Sequence, residues 1–596
     1  MRRSRTFWFR CCLVISLFVL KSNGIFGQSS LSKEEQELQI LFQYEWEIHL
    51  QDYPDVSSIY GYKKYNNRWP DLSLEGFERR QTHRLKIIDK LNKIPSQKLS
   101  PTWQMYYQIY KQEIEWDCQS HRYRLHLLPL NQLEGIHDLT PVLSSISFTS
   151  EKDYQDWLAR LGKFSEYMDQ TIDLLKEGVK KDRVQSKIVM KRVPGQIRKL
   201  INRQNLENHP LFKPFQQFPR SLDPEKQKEL SRAGKKQIEE VVIPAYEKLL
   251  TFLEKEYIPS CYDELGIWHL RDGATLYPFQ IELQTTTKES PTTIHEIGLQ
   301  EVKRIQIEMQ KVMKKIGFQG TFQEFTKQLR EDPKQHFANE QEILSSAKKI
   351  TATVEKQLPK LFGRLPKTPY LIEAIPAHMA SSSTSGYYLW PSADGKRPGT
   401  YFVNLDQPNK RARYQLVALS LHECIPGHHF QISLAFEEDG LPAFRRLSLG
   451  YNAFVEGWAL YSESLGETLG MYNNPYDRFG QLSYEIWRAV RLVVDTGIHS
   501  KKWSRAQAIA FALENSASSQ VDIENEIDRF AAWPGQALGY KIGELKIKKL
   551  RQNAEKALGS KFDLRSFHDT LLRAGPLPLD LLEERMRNWT ENQLKK

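Results

Sequence analysis

One short stretch of the chain contains three histidines and a glutamate of the kinds that bind and assist a metal ion. Residues 422–429 read His-Glu-Cys-Ile-Pro-Gly-His-His, and a further glutamate, Glu456, follows at a distance that suits a second helix. Zinc takes imidazole and carboxylate ligands, and a catalytic zinc site keeps one coordination position for water. A carboxylate beside the ligands then serves as general base, which is the role we assign to Glu423. The stretch therefore predicts a hydrolytic zinc site.

The spacing of the histidines differs from the H-E-x-x-H motif, in which two histidines lie one turn apart on a helix. The fourth residue after His422 is Pro426, which cannot bind a metal. His429 would lie about 10.5 Å along a straight helix from His422, too far for two ligands of one ion. Pro426 clashes with the His422 carbonyl and Gly427 relaxes the backbone, so we predict a two-residue bulge that carries His428 to the second ligand position. The predicted zinc ligands are His422, His428 and Glu456. His429 stays open as the alternative second ligand, or as an outer or substrate contact.

Other residues are candidates for supporting roles. His499 follows Asp495 by one helical turn, so a carboxylate could orient an imidazole for catalysis, although such pairs also occur for structural reasons. Tyr540 could donate a phenol hydrogen bond to the oxyanion, and its alternative is core packing. Glu463 lies two turns beyond Glu456, too far to bind the same ion on a straight helix, so it is predicted to be an outer partner or an ion-pair residue.

Helices must position these residues, because most of the chain has apolar residues at helical spacing. The clearest helical segments are near residues 32–50, 74–93, 152–182, 224–256, 292–316 and 337–360. The exception precedes the metal motif, where two aromatic and β-branched runs, 386–390 and 400–405, flank a segment rich in Pro and Gly. These runs predict a β-hairpin.

The chain resembles a mostly bacterial family of unknown function that is marked by the signature H-E-x-x-P-G-H-H-x-Q. Residues 422–431 and the Glu-Gly-Trp-Ala-Leu-Tyr segment 456–461 carry this resemblance, which runs from about residue 35 to near the C-terminus. Further matching segments are 294–299, 399–404, 495–499, 533–541 and 574–579. The family is grouped with the zincin-like glutamate-zincin (gluzincin) peptidases, which include thimet oligopeptidase and angiotensin-converting enzyme.

The resemblance implies a mainly α, zincin-like helical peptidase with a small β-sheet beside the metal-motif helix and a deep channel between two lobes. In such enzymes an edge strand beside the motif helix binds the peptide backbone by strand addition. Strand 399–404 is the candidate here, with Tyr401, Asn404 and His429 as predicted substrate contacts. The alternative is an ordinary structural hairpin.

Length, charge and the N-terminus set the broader class. The 596 residues exceed what one core usually supports, so two or more lobes are expected. The net charge of +11 is not accompanied by a nucleic-acid-binding module, so we expect no nucleic-acid partner. Residues 1–27 combine a basic start with a short apolar run, which predicts a secretory signal. We therefore expect no stable membrane insertion after its cleavage, and a periplasmic or extracellular protein. An uncleaved anchor is the alternative.

After the leader, the remaining cysteines, Cys118, Cys261 and Cys424, are too few for a disulfide framework. The metallopeptidase domain is predicted to span 28–596 as two helical lobes, with the metal site within 387–545. The predicted function is zinc-dependent hydrolysis of short peptides with Glu423 as base. Two alternatives stay open: a non-catalytic envelope binding protein that keeps the fold, and a zinc hydrolase of a non-peptide amide or ester. The intact Glu423 favours an enzyme.

Overall fold

Helices form most of the chain in this computed structural model, which describes residues 31–376, 380, 383–393, 395, 397–447 and 450–596. The predicted signal peptide, residues 1–27, lies outside the described residues. The first half contains α1 (Lys33–Asp52), α2 (Pro54–Ile59), α3 (Leu74–Asn92), α4 (Pro101–Arg122), α5 (Thr140–Ser145), α6 (Glu151–Gly162), α7 (Phe164–Lys180), α8 (Lys187–Met190), α9 (Val193–Leu200), α10 (Pro224–Gln237), α11 (Ile243–Phe252), α12 (Ile258–Ser260), α13 (Gly273–Thr285), α14 (Pro291–Ile316), α15 (Phe322–Glu331) and α16 (Glu340–Glu355).

The second half contains α17 (Leu416–Glu423), α18 (His428–Phe436), α19 (Ala443–Leu447), α20 (Asn452–Leu465), α21 (Pro475–His499), α22 (Arg505–Asn515), α23 (Gln520–Ala532), α24 (Gly539–Leu558), α25 (Leu564–Leu572) and α26 (Leu579–Lys595). The predicted helical segments are confirmed, with two refinements. The segment 152–182 is divided into α6 and α7 at Lys163. The segment 224–256 is one helical run in which π turns at Ile238–Val242 and Leu253–Tyr257 join α10, α11 and α12.

Local sequence signals explain where the long helices begin and end. The Ser290 side chain accepts a hydrogen bond from the Thr293 N–H, and Pro291 occupies the first turn of α14, where its missing N–H costs nothing. Gly317 ends the same helix with φ +88°, a conformation that favours glycine. Asn474 caps the start of α21, the long helix against which α14 packs.

A three-stranded sheet, β1 (Tyr370–Ala374), β2 (Gly386–Leu389) and β3 (Gly399–Val403), lies beside α17 and α18. The predicted hairpin is confirmed, because β2 and β3 pair antiparallel with Tyr388 opposite Tyr401. The sequence analysis missed β1, which pairs parallel to β3 on its other side. The strand order is therefore β1-β3-β2, and β3 is the central strand.

Buried hydrophobic side chains form two clusters, and α21 contributes to both. Leu492 belongs to the first cluster, whereas Ile486 and Val490 belong to the second. A close crossing also joins α20 to α24. A Cβ added to Gly457 would lie 2.5 Å from the Cα atom of Gly543, so the two backbones approach within a distance that a larger residue would prevent. These contacts hold α17, α20, α21 and α24 around the candidate site.

Candidate metal centre

The histidine-rich stretch folds as two helices separated by a sharp turn. α17 ends at Glu423 and α18 begins at His428, and the turn between them contains a cis Ile425–Pro426 peptide bond. A Cβ on Gly427 would collide with the carbonyl oxygens of His422 and Leu421, so only glycine fits where the chain folds back on α17. The predicted bulge in a continuous helix is therefore wrong in form, because the helix breaks completely. Its consequence holds, since the turn brings the His428 ring to the His422 ring.

The turn is attached to the helix that carries the third predicted ligand. The Pro426 carbonyl accepts hydrogen bonds from Trp458 Nε1 at 2.9 Å and from Ser462 Oγ at 3.3 Å. Both donors lie on α20, the helix of Glu456. The position of Glu456 relative to the two histidines is thus fixed by a backbone carbonyl and two buried side chains of neighbouring helical turns.

The three predicted ligands converge. The Nε2 atoms of His422 and His428 each lie 3.4 Å from Oε2 of Glu456, and the ligand atoms all lie within 4.8 Å of one another. A distance of 3.4 Å is too long for a good hydrogen bond. It matches the separation of about 3.4 Å between atoms that bind one zinc ion tetrahedrally at ~2.1 Å. The group can therefore hold a metal ion with its ligand atoms already near the required spacing.

Glu463 orients the first ligand. Its Oε1 atom lies 2.8 Å from Nδ1 of His422, and the Glu463 side chain is fully buried. A proton on Nδ1 that is donated to this carboxylate leaves the Nε2 lone pair free for a metal. Glu463 lies on the same face of α20 as Glu456 and acts as the outer partner that the sequence predicted.

The charges of the group act strongly on one another. Burial alone would lower the pKa of His422, but the carboxylates of Glu456 and Glu463 outweigh burial and raise this pKa to about 9. Burial would raise the pKa of Glu456, but His428 and His422 hold this pKa well below its usual range. Two imidazoles thus share an ionised carboxylate, a combination that a divalent cation can bind by displacing the imidazole protons.

Glu423 follows the first ligand and is partly exposed, unlike its buried neighbour His422. Burial raises the pKa of the Glu423 carboxyl, against the opposing influence of His422 and His428. A carboxyl group with a raised pKa next to a metal site accepts a proton more readily than an exposed carboxylate does. Its position agrees with the predicted role of general base, which stays a prediction.

Tyr540 lies in the first turn of α24. Burial raises the pKa of its phenol, and the negative charge of Glu456 adds to this shift, so the two side chains are close enough to interact. The Arg491 guanidinium stacks on the Tyr540 ring, 4.5 Å from its centroid. Tyr540 therefore remains a candidate for stabilising an oxyanion.

The three predicted substrate contacts are buried. His429 is 1% exposed, and its Nδ1 atom lies 2.8 Å from the hydroxyl of Tyr388 on β2, so its ring is fixed against the sheet. Tyr401 is fully buried on the central strand. The Asn404 amide donates to the carbonyls of Ala380 and Thr384, at 2.7 and 2.9 Å, and thus fixes the chain before β2. We therefore correct the predictions for His429 and Asn404, which support the sheet. The prediction for Tyr401 stays a prediction, because its phenol is close enough to Glu423 for their charges to interact.

The prediction for strand 399–404 is wrong for a related reason. Strand addition needs a free edge, whereas β3 is hydrogen-bonded on both sides. Among the described residues the edges of this sheet are β1 and β2.

His499 is also placed differently from the prediction. Its Nδ1 accepts a hydrogen bond from the Ile267 N–H at 3.2 Å, and its Nε2 lies 3.0 Å from the Phe530 carbonyl oxygen. Burial lowers its pKa to about 4, so the imidazole is neutral at pH 7. Asp495 does not orient it, because the Asp495 carboxylate accepts from Tyr277 Oη at 2.6 Å. Both ring nitrogens are occupied by the backbone, so a catalytic role for His499 is wrong in this structure.

The three cysteines are free thiols, in agreement with the expectation from their number. Burial holds the pKa of Cys424 well above its usual range, and the metal-binding group does not include it. The sequence analysis missed Arg488, whose Nη2 lies 3.7 Å from Oε1 of Glu463. Its signal was present, since Arg488 and Arg491 are charged residues one turn apart in a helix that is otherwise largely buried.

These features define a mainly α-helical protein with a buried His-His-Glu group that could hold a metal ion. The family described as bacterial protein of unknown function (DUF885) matches residues 54–586, and the chain belongs to this family. The match does not indicate a function for the His-His-Glu group.

Two solved structures resemble the chain along most of its length. A candidate lipoprotein from Colwellia psychrerythraea is 30% identical in sequence with a TM-score of 0.90, and the match covers 94% of this chain and 99% of that one. A candidate lipoprotein of unknown function from Shewanella oneidensis shares the fold at 17% identity with a TM-score of 0.70, covering 93% of this chain and 100% of that one. None of the curated protein sequences matches the chain. Within the described residues, every helix is too short or too polar to cross a membrane.

Proposed function

We propose that the chain is an exported zinc metallopeptidase of the zincin type, which hydrolyses peptide bonds of short peptides. The observation that carries this proposal is the convergence of His422, His428 and Glu456, in which each imidazole Nε2 lies 3.4 Å from the carboxylate, with Glu423 next to His422 in the chain. Two imidazoles and one carboxylate are the ligand set of several catalytic zinc sites, in which the fourth position is open. Zinc in this position would supply Lewis-acid chemistry, polarising the substrate carbonyl and lowering the pKa of water.

Three protein residues transfer the proton, orient a metal ligand and stabilise the oxyanion. Glu423 takes the proton from the attacking water and passes it to the leaving amine, because it is partly exposed and its pKa is raised by burial. Glu463 keeps His422 in the tautomer that leaves Nε2 unprotonated. Tyr540 donates its phenol hydrogen bond to the oxyanion, since it lies next to Glu456 and is partly exposed.

The sheet offers a place for the peptide backbone. β2 is an edge strand and contacts α17. Ser385, just before β2, interacts with Tyr484. The Tyr484 side chain is in turn close enough to Glu423 for their charges to interact. A peptide that pairs with β2 would therefore run past Glu423. β2 takes the place of β3 in this role.

Export is part of the proposal. The described relative with 30% identity is a candidate lipoprotein, which is a protein of the cell envelope. Residues 1–27 have the composition of a secretory leader. We therefore place the mature protein in the periplasm or outside the cell.

The decisive experiment compares purified wild-type protein with Glu423→Gln. We expect the wild type to hydrolyse members of a short-peptide library in a reaction that a chelator abolishes and added zinc restores. Glu423→Gln should retain zinc and lose about 10²- to 10⁴-fold in rate, the usual contribution of a general base. Glu467→Gln, the same substitution at a glutamate whose side chain is 73% exposed, should match the wild type.

Three results would overturn parts of the proposal. Full activity in Glu423→Gln would remove the assigned base. Wild-type protein that binds zinc and hydrolyses esters or non-peptide amides alone would identify a different hydrolase. Wild-type protein that binds zinc and hydrolyses none of these would favour the binding-protein alternative.

A further inference from the structure

Three arginines surround Tyr540 beside the candidate metal centre. Arg488 and Arg491 lie on α21 and Arg529 lies on α23. The Cζ atoms of Arg491 and Arg488 lie 4.5 and 5.9 Å from the centroid of the Tyr540 ring. Arg529 is joined to the other two through Glu526, because both Arg529 and Arg491 donate hydrogen bonds to the Glu526 carboxylate. This cluster of Arg488, Arg491, Arg529, Glu526 and Tyr540 is called the arginine cluster below.

Positive charge exceeds negative charge in the arginine cluster. Arg491 Nη2 and Arg529 Nη2 both donate to Oε2 of Glu526, at 2.9 and 3.0 Å, so two guanidinium groups share one carboxylate. Burial would raise the pKa of Glu526, but Arg529 and Arg491 lower it to about 2, so the carboxylate is fully ionised and offers only one negative charge. Arg488 has Glu463 at 3.7 Å, but that carboxylate is already hydrogen-bonded to His422. Counted over its own members, the cluster has three positive charges and one negative charge, and the negative charges of Glu463 and Glu456 act on it from the metal centre.

The arginine cluster also holds hydrogen-bond donors that its protein neighbours leave unused. Arg491 is 8% exposed, and its Nε and Nη1 atoms have no acceptor among the described residues. The Nε atom of Arg488, a residue that is equally buried, also has no acceptor among the described residues. A guanidinium group has five N–H donors, and buried charged donors are rarely left without a partner in folded proteins.

These buried donors lie beside residues that are partly exposed to solvent. Tyr540, Arg529 and Glu526 are each partly exposed. Glu456 of the metal centre is also partly exposed, with 20% of its side chain accessible, and its charge acts on Tyr540 and on Arg529. The arginine cluster and the candidate metal centre are thus neighbours, and each has members that reach solvent.

A purely structural role would not need this arrangement. One arginine is enough to neutralise Glu526, and Arg529 already binds it through Nε and Nη2. The second guanidinium, Arg491, donates to the same carboxylate through Nη2 alone and keeps Nε and Nη1 without an acceptor among the described residues. It does match the needs of a carboxylate ligand, because guanidinium groups bind carboxylates through several charge-assisted hydrogen bonds.

We propose that Arg491, together with Arg488, binds a carboxylate of the peptide substrate, so that the enzyme acts on peptides carrying a free carboxylate next to the cleaved bond. This inference rests on the proposed function for its peptide substrate. The carboxylate comes from either the peptide C-terminus or an acidic side chain. In the first case the enzyme is an exopeptidase that acts at the C-terminal end.

A binding experiment tests the subsite without catalysis. Metal-free protein is titrated with N-acetyl-phenylalanine and with its amide, and the melting temperature and the binding heat are measured. We expect the acid to bind about tenfold or more tightly than the amide, the value of one charge-assisted hydrogen bond. Arg491→Gln should bind acid and amide equally. Arg505→Gln, which breaks a bond to Asp528 on another face of α23, should keep the preference.

A rate experiment distinguishes the two sources of the carboxylate. Matched peptides are compared as C-terminal acid and amide, and with Glu or Gln beside the cleaved bond. A kcat/KM preference of about 10- to 100-fold for the acid supports C-terminal recognition, and the same preference for Glu supports side-chain recognition. In either case Arg491→Gln should remove the preference mainly through KM. Arg491→Lys should restore part of it, because it keeps the charge.

Failure of this inference can be distinguished from failure of the proposed function. Zinc-dependent cleavage with no preference for either carboxylate overturns the subsite and leaves the peptidase standing. Binding of the acid that depends on Arg491, in a protein that cleaves no peptide, supports the subsite and overturns the peptidase. Equal binding of acid and amide by the wild type overturns the subsite in either case.

Discussion

Replacing Glu463 by glutamine isolates the role of the outer partner in the metal centre. The substitution keeps the size of the side chain and its acceptor oxygen, so the 2.8 Å contact with Nδ1 of His422 can still form. It removes the negative charge that helps to raise the pKa of His422 to about 9 after burial has lowered it. The imidazole then becomes a weaker electron donor, and the metal loses affinity without losing a ligand.

The size of the effect follows from the kind of hydrogen bond that is lost. A charge-assisted hydrogen bond is worth about 1.5–3 kcal/mol and a neutral one about 0.5–1.5 kcal/mol, so the exchange costs about 1–1.5 kcal/mol. The nearby Arg488, 3.7 Å from Glu463, adds repulsion to a bound cation once the carboxylate is gone. We therefore expect zinc affinity to fall about 10- to 100-fold, the range found for outer partners of metal-bound histidines.

The assay is a competitive zinc titration against a chelator of known affinity. The matched control is Glu544→Gln, which also removes a fully buried glutamate, in this case one that binds Lys541 on α24. We expect both variants to lose stability and only Glu463→Gln to lose zinc affinity. Zinc binding by Glu463→Gln within twofold of the wild type would refute the orienting role. An equal loss in both variants would show that general loosening, and not the His422 contact, controls affinity.

Three further outcomes are expected. His428→Ala should abolish zinc binding, measured by metal analysis. His429→Ala should keep zinc binding and lose only stability, because the His429 ring faces the sheet. The reverse result would exchange the roles of the two histidines. Gly543→Ala should lower the free energy of unfolding by about 1–3 kcal/mol and weaken zinc binding, because the new methyl group pushes α24 away from the helix of Glu456; unchanged values would contradict the close crossing. His499 has a folded pKa of about 4 against 6.5, so its neutral form stabilises the fold above pH 6.5 and this contribution is lost as the pH falls toward 4. The free energy of unfolding, measured with denaturant, should therefore fall by about 3 kcal/mol less in His499→Gln than in the wild type between pH 7 and pH 4. Equal falls in the two proteins would show that the imidazole is not buried in its neutral form.

Features that depend on local sequence were predictable. The capped, periodic segments became helices because apolar spacing and caps act over a few residues, as in α14. The β2–β3 hairpin was also predictable, since both strands and their turn lie within one short segment. The ligand set His422, His428 and Glu456 followed from residue types, because few buried environments other than a metal site accommodate such a group.

Features that depend on distant contacts were not predictable. The central place of β3 requires β1, a strand whose pairing partner lies about thirty residues away and whose exposed residues give a weak pattern. His499 has the same one-turn spacing from Asp495 as a catalytic pair, but contacts with Ile267 and Phe530, far away in the chain, decide its role. The cluster around Tyr540 combines three helices, so sequence spacing could indicate only its α21 members.

The bond between the Pro426 carbonyl and the Trp458 indole has a consequence for how the protein acquires its metal. It ties the two-histidine turn to the third-ligand helix through groups that are not themselves ligands. The ligand geometry is thus assembled by folding alone, so metal uptake demands little rearrangement and the apoprotein should keep its native fold. A protein built this way can fold first and load its metal afterwards, in whichever compartment supplies the ion, unlike a zinc finger, whose folding waits for its metal.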